Sequence, residues 1–354
     1  MTMVREKRKR ATYRDIARLA EVHPASVSRA LNDLPTVSPE IRERVIDAAQ
    51  ALNYRTVTAA RNLRSQRTET IGLITEIETE STHYGSGLLR GVSRALTDVE
   101  FHLKICSIHC GASADELASL PLLRTISIDG VILDGHQVRG NVEGVFGKLE
   151  MPYIWVNPPE IRQYNAVIPD DVAVARRATR VLIEHGHRKI AYLPHARLSH
   201  IVHHSQSDRM RGYIEAMTRA GLPPIPTWDE ELKRNGPDDP ISNQFDEMVQ
   251  RIRSFKSQGC TAMVFYSGFQ AATILFACAK AGLKVPEEMS LIACDFDSSI
   301  RYLPITVTTM NLDRAEMGKL AVKMLQQRIE NENKDLPSEF FQGELMEGET
   351  VLKV

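Results

Sequence analysis

From Ile71 onward the chain repeats one pattern: a short apolar run, a polar break, then a stretch with helical spacing of apolar residues. The runs include Ile71-Gly72-Leu73-Ile74, Phe101 to Ile108, Gly130-Val131-Ile132-Leu133 and Tyr153-Ile154-Trp155-Val156. They continue with Lys189-Ile190-Ala191-Tyr192-Leu193, Ala262-Met263-Val264-Phe265 and Ser290-Leu291-Ile292-Ala293. Between them, helical periodicity marks Gly85 to Leu96, Ala173 to His185, Asp208 to Ala220, Ala271 to Ala281 and Arg314 to Ile329. Regular alternation of this kind means parallel sheets with helices on both faces. More than ten such units over about 285 residues point to two doubly wound subdomains rather than one very wide sheet. In such sheets a ligand sits in the crevice at the carboxyl ends of the strands.

Residues 12 to 64 have a different texture. Apolar residues fall at Ile16, Leu19 and Ala20, at Val22, Val27, Ala30 and Leu31, and at Ile41, Val45, Ala48, Ala49 and Leu52, the spacing of three short amphipathic helices. Ala17 and Ala20 are small enough for close crossing, and Glu21-Val22-His23 has the length of a helix-turn-helix connection. The second helix, Pro24 to Leu31, is then the one expected in a DNA major groove. Thr12 is the expected N-cap of the first helix, and Ser38-Pro39-Glu40 opens the third with a cap, a proline and a first-turn carboxylate.

Charge divides the chain in the same place. Residues 1 to 68 hold 14 Lys and Arg against 7 Asp and Glu, whereas the remainder carries an acidic excess, leaving −1 overall. A basic head on an acidic body fits a polyanionic partner for the head alone. The run Arg8-Lys9-Arg10 belongs to a basic arm. The five cysteines, Cys106, Cys110, Cys260, Cys278 and Cys294, form no Cys-x-x-Cys pair, so neither a disulfide framework nor a zinc site is expected. No apolar run has the length of a signal peptide or a membrane span, which predicts a cytoplasmic protein.

The residues Asp15-Ile16-Ala17, Ala20, Val22, Val27-Ser28-Arg29, Asn32, Val37-Ser38, Arg42, Val45, Ala48, Leu52-Asn53-Tyr54, Ala60 and Leu63 closely resemble the DNA-binding domain of the LacI/GalR family of bacterial regulators. The resemblance implies a sequence-specific regulator, most often a repressor, working as a homodimer on double-stranded operator DNA. It places Thr12 and Tyr13 among the DNA contacts, and His23, Pro24 and Ala25 where the family varies operator preference. Ser26 and Ser28 match phosphate-holding positions, and Arg29 a base-reading or phosphate-contacting one. Asn32 matches a helix cap near the backbone. Leu63 matches a hinge leucine that wedges into the minor groove, followed there by the charge of Arg64. Three departures stand out. Glu21 replaces the usual glycine of the turn, which then requires an unusual dihedral from Glu21. Ala25 offers only apolar recognition, and Thr56-Val57 replaces the usual Pro-Asn at the hinge entry.

Over the rest of the chain, Gly186-His187-Arg188-Lys189-Ile190, Arg209-x-x-Gly212-Tyr213 and Ala281-Gly282-Leu283-x-Val285-Pro286 resemble a periplasmic-binding-protein-like effector domain. The resemblance implies domains at 1–57 (helix-turn-helix), 58–68 (hinge helix and linker) and 69–354 (effector binding and dimerisation, two subdomains). It marks Tyr84, Asn157, Arg209 and Asp295 as effector contacts, with Arg209 supplying a fork of donors and Asp295 accepting from hydroxyls. A hydroxyl-rich small ligand such as a sugar suits that set. Where the family commonly has Asn-Asp, this chain has Ser267-Gly268-Phe269-Gln270, so Ser267, Phe269 or Gln270 is expected to take over the contact and the effector to be atypical for the family.

His195, His200, His203 and His204 lack the spacing of a metal motif and read as an exposed loop over the crevice. No metal or cofactor is expected. Trp228 and Asp229-Glu230-Glu231 read as another surface connection, and no heptads follow Thr350-Val351-Leu352 to build a coiled-coil tetramer. The rival reading is a doubly wound enzyme acting on a sugar or nucleotide; against it, no G-x-G-x-x-G or G-x-x-x-x-G-K-[ST] follows any strand.

Overall fold

The computed structural model describes residues 11–31, 36–52, 54, 67–77, 86–109, 111–134, 138, 140–194, 203–225, 241–296 and 298–354. They form two compact units, Met1–Arg67 and Thr68–Val354.

In the first unit, α1 (Tyr13–Leu19), α2 (Pro24–Leu31) and α3 (Pro39–Ala51) enclose a small core in which Ile16, Val27 and Val45 are fully buried. Ala17, Ala20, Ala30, Ala48 and Ala49 fill the remaining space, their lack of bulk letting the helices approach. Both predicted starts are present. Thr12 and Asp15 form a reciprocal capping box, and the Ser38 hydroxyl accepts from the Ile41 N–H ahead of Pro39. The turn after α1 runs through Glu21 at φ 52°, the left-handed conformation for which a glycine is the ordinary choice. The Arg44 guanidinium secures it by donating to the Ala20 and Glu21 carbonyls.

The second unit holds two sheets. The first joins β1 (Thr70–Ile77), β2 (His102–His109), β3 (Gly130–Asp134), β4 (Tyr153–Val156), β5 (Ala166–Pro169) and a late strand, Glu339–Phe341. Its helices are α4 (Ser86–Asp98), α5 (Ala114–Ala118) and α6 (Val142–Lys148). The chain then passes to α7 (Asp171–Glu184), β6 (Ile190–Leu193), α8 (His204–Arg219), α9 (Ile241–Ser257), β7 (Ala262–Phe265), α10 (Ala271–Ala281), β8 (Ser290–Ala293) and β9 (Thr308–Asn311). It returns through α11 (Arg314–Glu330) to the first sheet with β10 (Glu339–Phe341), and closes the second with β11 (Glu344–Met346). The strand orders are β10-β5-β4-β3-β1-β2 and β11-β9-β8-β7-β6, parallel except where β11 pairs with β9.

The two doubly wound halves expected from the alternation are therefore present. The strands β9, β10 and β11 carry no long apolar run, and sequence periodicity passes over them. Thr350 to Leu352, strand-like in sequence, forms no strand: Thr350 exchanges hydrogen bonds with the backbone of Leu291 and the segment lies beside β8. Two connections leave the carboxyl ends of strands in one half and enter helices of the other, from β5 into α7 and from β9 into α11. The carboxyl ends of both sheets consequently border a common crevice. Gly212 in the Arg209-x-x-Gly212-Tyr213 motif lets α8 press against α7: a Cβ there would lie 2.2 Å from the Val172 carbonyl oxygen.

Candidate nucleic-acid interface and ligand crevice

The α2 helix turns Val27 and Ala30 into the head's core, which leaves His23, Pro24, Ala25 and Arg29 exposed and Ser26 and Ser28 half-buried. His23 holds the helix start through Nδ1, which accepts from the Ala25 N–H at 3.2 Å. The first turn thus presents a ring, a pyrrolidine and a methyl to solvent, with one guanidinium further along. The Thr12 hydroxyl is engaged in its capping box, donating to Asp15 at 2.7 Å, and Tyr13 packs its ring 5.7 Å from that of Tyr54. Asn32, Leu63 and Arg64 lie outside the described residues.

In the body, Arg209 sits on the second turn of α8 and is only 3% exposed. Nε donates to Asp171 Oδ1 at 2.6 Å, Nη1 to the Tyr266 carbonyl at 2.6 Å and Nη2 to Asp295 Oδ2 at 3.4 Å. Its guanidinium carbon is also 4.3 Å from the centre of the Tyr266 ring. Asp295, just past β8, receives a second cation: Arg314 Nη2 at 2.6 Å, from the start of α11. Asp134 at the end of β3 adds to the field on Arg314, so groups from both sheets meet here.

Each position follows from an element end. Asp170 caps α7 by accepting from the Ala173 N–H, which leaves the adjacent Asp171 to turn inward toward Arg209. Tyr266 directly follows β7, and its hydroxyl meets Ser205 Oγ at 2.6 Å.

Burial raises the Asp171 carboxyl above its ordinary value despite the countering pull of Arg209. Burial also opposes the Arg209 charge, yet Asp171, Tyr266 and Asp295 together hold that guanidinium well above its usual range. Asp295 foremost raises Arg314, and burial pushes the Cys294 thiol up to about 12. Three buried polar atoms here meet no protein partner among the described residues: Asp171 Oδ2, Asp295 Oδ1 and His204 Nε2. Two are carboxylate oxygens, which accept hydrogen bonds and do not donate them.

The structure thus brings Arg209 and Asp295 together, with three of the five N–H donors of Arg209 already committed. Asn157 lies at the carboxyl end of β4, 8% exposed at φ 52°, donating its N–H to Val167. The Ser267 hydroxyl caps the short turn Gly268–Gln270 by accepting from the N–H of Phe269, itself half-buried. Tyr84, His195, His200 and residues 228–231 lie outside the described residues. The exposed loop expected at His203 and His204 is corrected: His203 is the buried N-cap of α8, and His204 bonds Asp208 through Nδ1 at 2.9 Å. Sequence reasoning passed over Asp171, Ser205, Tyr266 and Arg314. The available signal was the doubled acid Asp170-Asp171, since a helix start uses one carboxylate as its cap.

Residues 12–56 match the model for bacterial regulatory proteins of the lacI family, and residues 179–351 the periplasmic binding protein-like domain. The ribose operon repressor of Haemophilus influenzae is 29% identical over 330 residues, covering 92% of this chain and 94% of that protein. The transcriptional regulator CelR of Thermobifida fusca is 27% identical, with 92% and 94% covered. Among solved structures, the Lac repressor dimer bound to operator and the anti-inducer ONPF superposes with a TM-score of 0.77 at 20% identity, over 97% of this chain and all of that one. No helix among the described residues is long and apolar enough to cross a membrane. The chain thus joins a lacI-family DNA-binding domain to a periplasmic-binding-protein-like domain, and relatives that match it over more than nine-tenths of its length are LacI-family transcriptional regulators rather than enzymes.

Proposed function

We propose that the protein is a cytoplasmic repressor in which two copies bind a near-palindromic operator and a sugar or sugar derivative adjusts the affinity. The observation that carries this reading is the crevice: Arg209 and Asp295 converge there, and buried carboxylate oxygens await donors of the kind vicinal hydroxyls supply. In this reading 1–57 is the DNA-binding domain, 58–68 the hinge helix and linker, and 69–354 the effector-binding and dimerisation domain. Base edges meet His23, Pro24, Ala25 and Arg29; backbone contacts fall to Thr12, Tyr13, Ser26, Ser28 and Asn32, with Leu63 and Arg64 in the minor groove. Tyr84, Asn157, Ser267 and Phe269 complete the effector site with Arg209 and Asp295. Relatives include a ribose operon repressor and a regulator solved with cellobiose, which supports a carbohydrate ligand.

The test is paired. Titration of a selected operator duplex at rising salt is expected to give a steep logarithmic loss of affinity, reporting several neutralised phosphates. Thermal-shift measurements with ribose, cellobiose, other free sugars and their phosphates are expected to find a stabilising ligand. Salt-independent DNA binding would defeat the assignment of the head, and stabilisation by none of the sugars that of the crevice.

A further inference from the structure

The junction at which the body receives the chain from the head is held by one carboxylate that neither proposed site uses. Asp129 immediately precedes β3. Its Oδ1 accepts from the Thr68 N–H at 2.6 Å and from the Thr68 hydroxyl at 2.8 Å, and its Oδ2 accepts from the Glu69 N–H at 2.8 Å. The backbone reinforces the hold: the Asp129 N–H donates to the Thr70 carbonyl at 2.8 Å, and the His102 N–H to the Glu69 carbonyl at 2.7 Å. The Thr70 hydroxyl closes the turn on the Thr68 carbonyl at 2.9 Å. Thr68 and Thr70 are buried.

Between them, Glu69 stands at φ 49°, a left-handed conformation unfavourable for any residue with a Cβ. Such a conformation persists only where its surroundings over-determine it. Here consecutive amides converge on a single carboxylate, the arrangement by which a protein ordinarily cradles an anion, with Asp129 supplying the anion internally.

The placement has a mechanical consequence. Asp129 stands at the amino end of β3 and Asp134 at its carboxyl end, where Asp134 faces Thr75 and contributes to the charge environment of Arg314. One rigid strand therefore runs from the crevice to the residues that set the direction of the incoming chain. We propose that Asp129 is a positioning residue for operator binding: by holding Glu69 left-handed it fixes the direction in which the chain leaves the body toward the head. Each head folds around its own core and keeps its own phosphate contacts, so losing Asp129 costs specific binding, which needs both heads placed together, and spares non-specific binding.

The experiment uses the full-length protein, a duplex selected from random sequence by the wild type, and an unselected duplex of equal length, with affinities read by fluorescence anisotropy. Asp129→Ala is expected to weaken binding to the selected duplex about tenfold or more, a coupling within the usual range for a residue that touches no ligand. Affinity for the unselected duplex stays within about twofold, because phosphate neutralisation is unchanged. Asp129→Asn, which keeps one acceptor oxygen for Thr68 and loses the contact with Glu69, falls between. In the Asp129→Ala background, Glu69→Asn is expected to recover affinity about threefold or more, since asparagine tolerates the left-handed region on its own. The difference between the two duplexes is the readout a purely stabilising role would not produce, since partial unfolding weakens binding to both alike. Equal losses on both duplexes, no loss on the selected one, or no recovery with Glu69→Asn each overturn the proposal. If Asp129→Ala is unfolded at the assay temperature, Asp129→Asn and Thr68→Val carry the same comparison between duplexes.

Discussion

Replacing Arg209 with alanine strikes the crevice where its energetics are least forgiving. Asp171 is 2% exposed, its Oδ1 lies 2.6 Å from Arg209 Nε, and its Oδ2 has no donor among the described residues. Removing the guanidinium leaves a carboxylate buried without its counter-charge, a change that costs about 3–5 kcal/mol. For a unit of this size that lowers Tm by roughly 6–20 °C. The loss carries a pH signature. Burial already holds the Asp171 carboxyl above its ordinary value against the pull of Arg209, and without Arg209 it rises further. A carboxyl whose folded pKa exceeds its unfolded one binds its proton first in the folded state. The penalty relative to wild type is therefore complete above the variant's folded pKa and shrinks as pH falls, by about 1.4 kcal/mol per pH unit, until the wild-type carboxyl, itself raised by burial, is protonated too. Calorimetric scans of wild type and Arg209→Ala between about pH 7.5 and 5 should show the gap in Tm narrowing toward acid. Arg209→Met combined with Asp171→Asn, which removes both charges at once, should recover most of the loss and abolish the pH dependence. A gap constant with pH, or a double variant less stable than the single one, would refute this account of the pair.

Two further outcomes follow from single residues. Glu21→Gly removes the left-handed strain of the turn at the cost of one exposed contact with Arg44 at 3.8 Å, so the head should gain up to about 1 kcal/mol. Slower amide exchange at Ile16 and Val27 in the full-length protein reads that gain, and faster exchange contradicts it. His187 is buried, its Nε2–H donating to the Leu352 carbonyl at 3.0 Å and its Nδ1 2.8 Å from the Thr261 hydroxyl, and burial depresses its pKa. The unfolded imidazole then takes its proton first, so the stability His187 confers is whole above its ordinary value of 6.5 and is lost as pH falls below it. The urea-midpoint difference between wild type and His187→Asn should shrink across that window, and a constant difference would exclude it.

What could be read from the residues alone divides along a physical line. Features set by neighbours in sequence were legible: the helices of the head, the capping residues Thr12 and Ser38, the alternation of buried strands and crossover helices, and the unusual dihedral demanded of Glu21. Arg209 and Asp295 came from the family resemblance, not from any local rule of spacing or capping. What bound them together was not legible. Asp171 lies 38 positions from Arg209, and Tyr266 follows four apolar residues, where it reads as one more core ring. The short strands β10 and β11 acquire their state only from the edges they meet, a tertiary contribution that no local pattern carries. The pair Asp170-Asp171 shows the boundary most sharply. A helix start consumes one carboxylate, so sequence implies that the other is spare; where a spare charge goes depends on which cation the fold delivers. Asp129 poses the same problem before β3, where a lone acid reads as turn chemistry until the chain entering at Thr68 is seen to close on it. In a two-sheet protein of this kind, then, a charged residue at an element boundary that its own element does not use marks where long-range contacts have to be sought. The crevice and the junction both begin at such residues.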